Sequence, residues 1–393
     1  MKICFLYKED YPWDVRVEKI VKTLAAADHE VTLVARNLKR RPRLESAEDF
    51  TIRRLPAWPG PFRRLDGAFS VPLFFNPVWF ATLARAVRES GASVIIVRDL
   101  PLMPLAIGVG AALGCRVVFD MAECYPEMYR SIVSFSRRRL RSWLTKNPAF
   151  ASWMERFSVA RSSHVMVMIE ESRDRLLRMG FDAGKISIVS NTPARTTRLP
   201  RTHEGDSTLR LLYVGFVTRI RGLNNLIHGI RAYVDAYPDG PRVEFDAVGK
   251  GAAIDEYRTL AERLGVASQV RFHGWCEQDF VDELYARSDV GVLTYRFCPH
   301  WNHTIPNKLF DYMQAGMPVL ATDVRPIRRI VEEVGCGVVF PDGDAQACGE
   351  AIARLTDAAV RAELGRRGHA AVEDRYNWEH DGAELLRVID QLA

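Results

Sequence analysis

Apolar runs and helical stripes alternate along the whole chain. In the first half, residues 3–7, 31–35, 94–97, 116–119 and 164–168 are apolar runs of strand length. Between them the spacing turns helical. Val17, Ile20, Val21 and Leu24 follow the i, i+3, i+4, i+7 rule, the stripe of a helix with one buried face. The stretch 195–208 is polar and aperiodic, which predicts a linker. A second series then begins. Residues 209–214, 243–248, 270–272, 289–293, 319–322 and 337–340 read as strands, and Leu223, Leu226, Ile227 and Ile230 mark the first helix among them. Buried strands separated by helices predict parallel sheets covered on both faces. The expected fold class is α/β, with two doubly wound Rossmann-like domains at 1–194 and 209–375. An amphipathic helix within 376–393 is expected to cross back to the first domain. Such sheets bind ligands beyond the C-terminal ends of their strands, so the two domains are expected to face a central cleft.

A length of 393 residues suffices for two cores. Apolar content of 48% and charged content of 26% are ordinary for a globular protein. The longest apolar run, 100–114, is about 15 residues, short of the roughly 20 that a membrane helix needs. The opening Met1-Lys2-Ile3-Cys4-Phe5-Leu6-Tyr7 reads as a first strand rather than a signal peptide. The cysteines at 4, 115, 124, 276, 298, 336 and 348 form neither a C-x-x-C pair nor a zinc-spaced cluster. That predicts reduced thiols, a cytoplasmic setting and no metal site. The net charge of +5 is modest, and its placement says more than its sum.

Candidate chemistry concentrates in the second half. His303-Thr304-Ile305-Pro306-Asn307-Lys308-Leu309-Phe310-Asp311-Tyr312-Met313 reads as a loop entering a helix, followed by a turn at Gly316-Met317-Pro318-Val319. A helix start offers unpaired N–H groups and a positive dipole end, which suit a phosphate. Lys308 adds a full charge, and Asp311, one turn on, can accept bonds from sugar hydroxyls. A capped helix with a surface Lys–Asp pair is the alternative reading. Tyr213-Val214-Gly215-Phe216-Val217-Thr218-Arg219-Ile220-Arg221-Gly222 is a strand end, a loop with two arginines and a helix start, the logic of a phosphate cradle. It is neither a G-x-G-x-x-G nor a Walker A motif. Val248-Gly249-Lys250-Gly251 and Phe272-His273-Gly274-Trp275 are further glycine-bearing strand ends, the latter a place for a base to rest against backbone.

In that order and spacing, these motifs resemble the C-terminal domain of family-4 glycosyltransferases, which have the GT-B fold. Asp14-Val15-Arg16-Val17 with His29-Glu30-Val31-Thr32-Leu33-Val34 is similar to that family's opening. Asp120-Met121-Ala122-Glu123-Cys124-Tyr125-Pro126-Glu127 resembles its Asp-x-His-Glu-x-x-Pro-Glu segment, and residues 186–191 resemble the strand and Asn before its linker. The resemblance implies retaining transfer of a sugar from a UDP- or GDP-sugar, with no cofactor and no essential metal. It implies chemistry at Arg221, Lys308 and Glu123. Donor binding is implied for Gly215, Arg219, Gly249, Gly251, Gly274, His303, Thr304, Ile305, Pro306, Asn307 and Asp311, and acceptor-side roles for Asp14, Arg16 and Asp99. Three positions depart from the family pattern. His303 stands where the first acid of a Glu-x7-Glu pair falls and the shorter Asp311 at the second; Phe216 replaces an Arg; Ala122 replaces a His. A degenerate GT-B protein that binds without turnover, and a nucleotide-sugar epimerase, are therefore rival readings.

The first half carries basic clusters: Arg36, Lys39, Arg40, Arg41 and Arg43, then Arg53, Arg54, Arg63 and Arg64, then Arg137, Arg138, Arg139 and Arg141. Trp143, Leu144, Phe150, Trp153, Met154 and Phe157 follow the last, and the stretch 69–80 is apolar and aromatic. Basic residues beside aromatic ones suit peripheral docking on an anionic inner leaflet, in keeping with a lipid-linked or glycan acceptor. A solvated face over ordinary core aromatics is the alternative. No stacking platform or module for nucleic acid is evident.

Overall fold

The structure, a computed structural model, describes every residue except 13, 58–61, 63, 64, 66, 67, 69, 70, 72–74, 136–142, 144 and 196–206. Arg63, Arg64, Arg137, Arg138, Arg139, Arg141 and Leu144, most of the expected linker and much of the 69–80 stretch lie outside the described residues.

The chain divides into two compact units, Met1–Asn191 with His380–Ala393, and Thr192–Glu379. In the first unit the elements run β1 (Lys2–Asp10), α1 (Val15–Ala26), β2 (Glu30–Arg36), β3 (Leu44–Ser46), β4 (Thr51–Arg54), α2 (Pro77–Ser90), β5 (Val94–Arg98), α3 (Met103–Leu113), β6 (Arg116–Met121), α4 (Tyr125–Phe135), α5 (Pro148–Arg161), β7 (His164–Val167), α6 (Glu170–Arg178) and β8 (Ile186–Ile188). The sheet order is β3-β4-β2-β1-β5-β6-β7-β8. All pairings are parallel except β3 with β4. Phe5, Leu33, Ile96 and Phe119 are fully buried on these strands. Burial on both faces is why the strands read as unbroken apolar runs.

The second unit contains β9 (Thr208–Val214), α7 (Leu223–Ala236), β10 (Arg242–Val248), α8 (Ile254–Arg263), β11 (Val270–Gly274), α9 (Gln278–Arg287), β12 (Val290–Leu293), α10 (Lys308–Gln314), β13 (Val319–Thr322), α11 (Arg325–Val334), β14 (Gly337–Phe340), α12 (Ala345–Leu355) and α13 (Ala358–Asp374). Its parallel order β11-β10-β9-β12-β13-β14 changes direction between β9 and β12. The first sheet does so between β1 and β5. Ligands of open α/β sheets gather at such switch points. The last helix, α14 (Trp378–Asp390), belongs to the first unit from His380 onward. There Asp381 accepts the Ser190 N–H at 3.0 Å and Arg116 bonds the Leu392 carbonyl.

Two expectations are corrected. The strand pairing is not wholly parallel, because the short polar β3 folds back on β4 at the sheet edge. Nor are all the first-half arginines surface charges. Arg54 is buried, with Glu45 accepting at 2.7 Å, and Arg53 is tied to Glu89. Lys39, Arg40, Arg41 and Arg43 are exposed as expected.

One packing contact sets where α10 starts. Gly291 on β12 faces the ring of Tyr312, and a Cβ there would overlap the ring. The buried Tyr312 hydroxyl in turn accepts the Val214 N–H at 3.2 Å, tying α10 to the end of β9. Gly291→Ala should therefore cost about 1–3 kcal/mol of stability through overpacking. A lowered urea midpoint checks this, and an unchanged midpoint would mean that the ring has room to move.

Candidate functional site

The second unit's strand ends are laced by backbone. The Gly215 N–H bonds the Val248 carbonyl at 2.8 Å, Val217 bonds Lys250 at 2.9 Å and Gly249 bonds Gly274 at 2.6 Å. Gly249 has φ +135°, and a Cβ on it would overlap the Gly215 carbonyl. Only glycine meets both demands. Gly251 approaches the Val217 carbonyl as closely. Gly215, Gly249, Gly251 and Gly274 thus form one rim at the ends of β9, β10 and β11. On it the Lys250 ammonium lies 5.3 Å from the centre of the exposed Trp275 ring.

Lys308 reaches this rim from α10. A Cβ on Gly215 would lie 2.8 Å from the Lys308 Cε, so the lysine stem crosses the glycine 93 positions before it. Asp311 follows on the first turn of the same helix. Burial lowers the Lys308 pKa below the ordinary lysine value, Arg221 lowers it further, and Asp311 opposes them.

Arg221 is held by aromatics. Its Nη1 donates to the Tyr295 hydroxyl at 2.6 Å, and its guanidinium lies 4.8 Å from the Tyr295 ring centre and 4.5 Å from that of Trp301. Those two rings stack at 4.6 Å, and the Trp301 Nε1 donates to the Ile220 carbonyl at 3.2 Å. His300 tilts against Trp301. Burial, with Arg221 and His303 adding to it, pushes His300 from 6.5 down to about 4.

The expected donor residues separate into two sets. Gly215, Arg221, Lys308 and Asp311 come together, with His303 close enough to act on His300. Arg219 instead donates to Glu256 at 2.7 Å, toward α8. Thr304, Ile305 and Pro306 are buried, whereas Asn307 is exposed. Phe216 is 62% exposed at the rim. Tyr295, His300 and Trp301 were not anticipated. The run Thr294-Tyr295-Arg296-Phe297-Cys298-Pro299-His300-Trp301 after a strand end is the signal that could have found them.

Asp14, Arg16, Asp99 and Glu123 lie in the first unit, at the corresponding strand ends. The fully buried Arg16 grips Asp120, with Nη2 to Oδ1 at 2.6 Å, and bonds the Ser190 carbonyl. Its bonds tie α1 to β6 and to the backbone at Ser190. Asp14 caps α1 by accepting the Arg16 N–H at 2.9 Å and also accepts from Arg98 at 3.1 Å. Lys8 donates to Asp99 at 2.6 Å and to the Tyr125 hydroxyl at 2.5 Å. Burial works to raise the Asp99 pKa, but Lys8 and Arg98 outweigh it and hold the carboxyl below its ordinary value. Asp99 also adopts φ +69°, which is strained for a non-glycine residue. Glu123 is half-buried just beyond β6. Lys8, Arg98 and Asp120 were not assigned from the sequence, although all three stand at or near strand ends.

Two doubly wound units built on largely parallel sheets, the second with a glycine-lined basic rim at its strand ends, define the GT-B class. Residues 14–192 match the family described as "Glycosyl transferase 4-like domain" and residues 208–358 match "Glycosyl transferases group 1"; the chain belongs to this glycosyltransferase family. It is similar to the alpha-D-kanosaminyltransferase of Streptomyces kanamyceticus, with 22% identity over 62% of this chain and 64% of that protein, just under two thirds of its length. In fold it is similar to sucrose-phosphate synthase from Thermosynechococcus elongatus, with a TM-score of 0.76, 20% identity and coverage of 100% of this chain and 98% of that one. It also resembles Anabaena Alr3699/HepE in complex with UDP, with a TM-score of 0.71, 15% identity and full coverage of both chains.

The His300 environment gives a stability test. The unfolded chain binds a proton there near 6.5, and the folded chain only near about 4. The neutral imidazole therefore contributes stability that is present above pH 6.5 and lost as the pH falls to about 4. Histidine NMR should show His300 neutral at pH 5, and Arg221→Met should raise its midpoint. Titration near 6.5 in the folded protein would remove this account.

Proposed function

We propose that this protein is a retaining glycosyltransferase that moves a sugar from a UDP- or GDP-sugar to a lipid-linked or glycan acceptor. The observation that carries the reading is Lys308 lying across Gly215 on the glycine-lined rim, with Arg221 near enough to act on its charge. As the bond from the sugar's anomeric carbon to the diphosphate oxygen breaks, negative charge collects on the departing diphosphate. Positive groups fixed where that charge develops stabilise the transition state more than the ground state. Arg221 suits two phosphate oxygens at once, Lys308 supplies a point charge, and Asp311 accepts from ribose hydroxyls. The retaining course is inferred from the family-4 resemblance, as is a contact of Glu123 with the reacting sugar. No resident metal or cofactor is part of this reading. In it Arg221 and Lys308 meet the diphosphate charge.

Among the described residues no helix is long and apolar enough to cross a membrane. The seven cysteines are free, which agrees with a reducing cytoplasm. A second reading, binding without turnover, is favoured by Phe216 exposed at the rim in place of an arginine. Sugar transfer assays across a panel of nucleotide sugars separate the two: the proposal expects nucleotide released together with glycosylated acceptor, and binding with no transfer supports the second reading.

Arg221→Ala and Lys308→Ala should each weaken nucleoside-diphosphate binding about 10- to 100-fold, the loss of one charge-assisted contact, while an uncharged nucleoside binds unchanged. Wild-type affinity in both variants would remove the donor-site assignment. Asp311→Asn should raise the donor KM more than it lowers kcat. Because the Lys308 pKa is lowered, its charge is lost at a lower pH than in ordinary lysine. Diphosphate affinity should therefore fall as the pH rises into the alkaline range, and Lys308→Arg should flatten that fall. Calorimetry across pH checks both, and a flat wild-type profile would contradict them.

A further inference from the structure

The loop that follows β2 gathers positive charge in a fixed turn. Lys39, Arg40, Arg41 and Arg43 are all exposed, and the sequence from 37 to 44 holds no acid. Like charges this close repel, so a relaxed chain would spread them. The fold holds them together instead. The buried Asn37 side chain spans the turn: its Oδ1 accepts the Arg41 N–H at 2.8 Å and its Nδ2 donates to the Arg41 carbonyl at 3.0 Å. The Asp10 carboxylate accepts the Leu38 N–H at 2.8 Å and the Lys39 N–H at 3.1 Å. Arg40, at the tip, adopts φ +55°, a left-handed backbone disfavoured for a non-glycine residue.

The nearby acids are engaged elsewhere. Asp10 binds backbone, Glu9 lies 3.7 Å from Arg36, and Glu45 accepts from the buried Arg54. A rigid turn that concentrates cations in this way suits an anion. Its place in the sheet indicates which one. A register shift between Tyr7 and Asp10 sets Asp10 opposite Arg36, so the loop is bonded to the end of β1. Two positions earlier, Lys8 holds Asp99 at the end of β5. β1 and β5 border the switch point, where ligands of such a sheet gather. β2 is two strands from β5, about 10 Å at ordinary strand spacing. An anion at the turn therefore belongs to a part of the ligand that lies outward of the switch point. The loop carries no aromatic ring, so it lacks the stacking platform that a nucleic-acid base needs and the inserting signal that stable bilayer docking needs.

We propose that the turn at 37–43 binds phosphate, sulfate or carboxylate groups of an anionic glycan acceptor, outward of the sugar that receives the transfer. This rests on the sugar-transfer reading, since that reading makes the anion part of the acceptor.

The test is calorimetry of the full chain with a heparin hexasaccharide, and with maltohexaose as its uncharged counterpart. The heparin fragment should bind with an affinity that falls steeply with salt, and maltohexaose should not bind. Lys39→Gln combined with Arg40→Gln, Arg41→Gln and Arg43→Gln should weaken heparin binding about tenfold or more, with the thermal melt unchanged. Arg156→Gln with Arg161→Gln, which removes two exposed charges on α5, should leave it unaltered. Carbodiimide coupling of the bound fragment's carboxylates should mark Lys39. Equal heparin affinity in wild type and the four-site variant, an equal loss from the α5 variant, or coupling that passes over Lys39 would overturn the proposal. So would a four-site variant that loses flotation on phosphatidylglycerol vesicles while keeping heparin affinity. UDP affinity is measured alongside: a wild type that binds heparin at the turn but no UDP overturns the sugar-transfer reading rather than the anion site.

Discussion

Lys308 is a cation held largely out of water across the end of β9, and burial, with a smaller push from Arg221 and against the pull of Asp311, lowers its pKa below the ordinary lysine value. The fold accepts the cost because both stems are fixed from behind. Arg221 lies against the Tyr295–Trp301 stack, and Lys308 crosses Gly215 at the start of a helix anchored by Tyr312. Cations held in this way need no reorganisation before they act, the condition under which fixed charges act most strongly.

The first unit treats charge in the opposite way. At the corresponding strand ends, Arg16, Arg98 and Lys8 meet Asp120, Asp14 and Asp99, and the cluster is internally compensated. A buried pair such as Arg16–Asp120 is weak evidence of net stability, because desolvation offsets much of the attraction. What the cluster supplies is alignment. It joins the ends of β1, β5 and β6 to the start of α1 and leaves the strained Asp99 backbone fixed in place.

The doubly wound sheets were legible because strands buried on both faces leave unbroken apolar runs. The edge strands β3 and β4 were not, since they carry Arg53, Arg54 and Glu45, whose pairing is settled only by tertiary contact. Lys308 and Asp311 could be read because a helix start is a local signal. The aromatic hold on Arg221 could not, because Tyr295 and Trp301 meet it from more than 70 positions away. For the same reason Arg16 was recognisable as a residue and its burial was not: its partner Asp120 lies on another strand.

The last helix gives the first unit a discontinuous sequence. Asp381 caps the backbone at Ser190, and Arg116 holds the carbonyl of Leu392, so the unit's closing contacts come from the far end of the chain. During synthesis the second unit emerges whole before the first receives its final element. The amino-terminal unit, although made first, is thus the last to be completed, against the usual order in which domains mature as they leave the ribosome. Until then its edge at Ser187 and Ser190 lacks the partners supplied by α14.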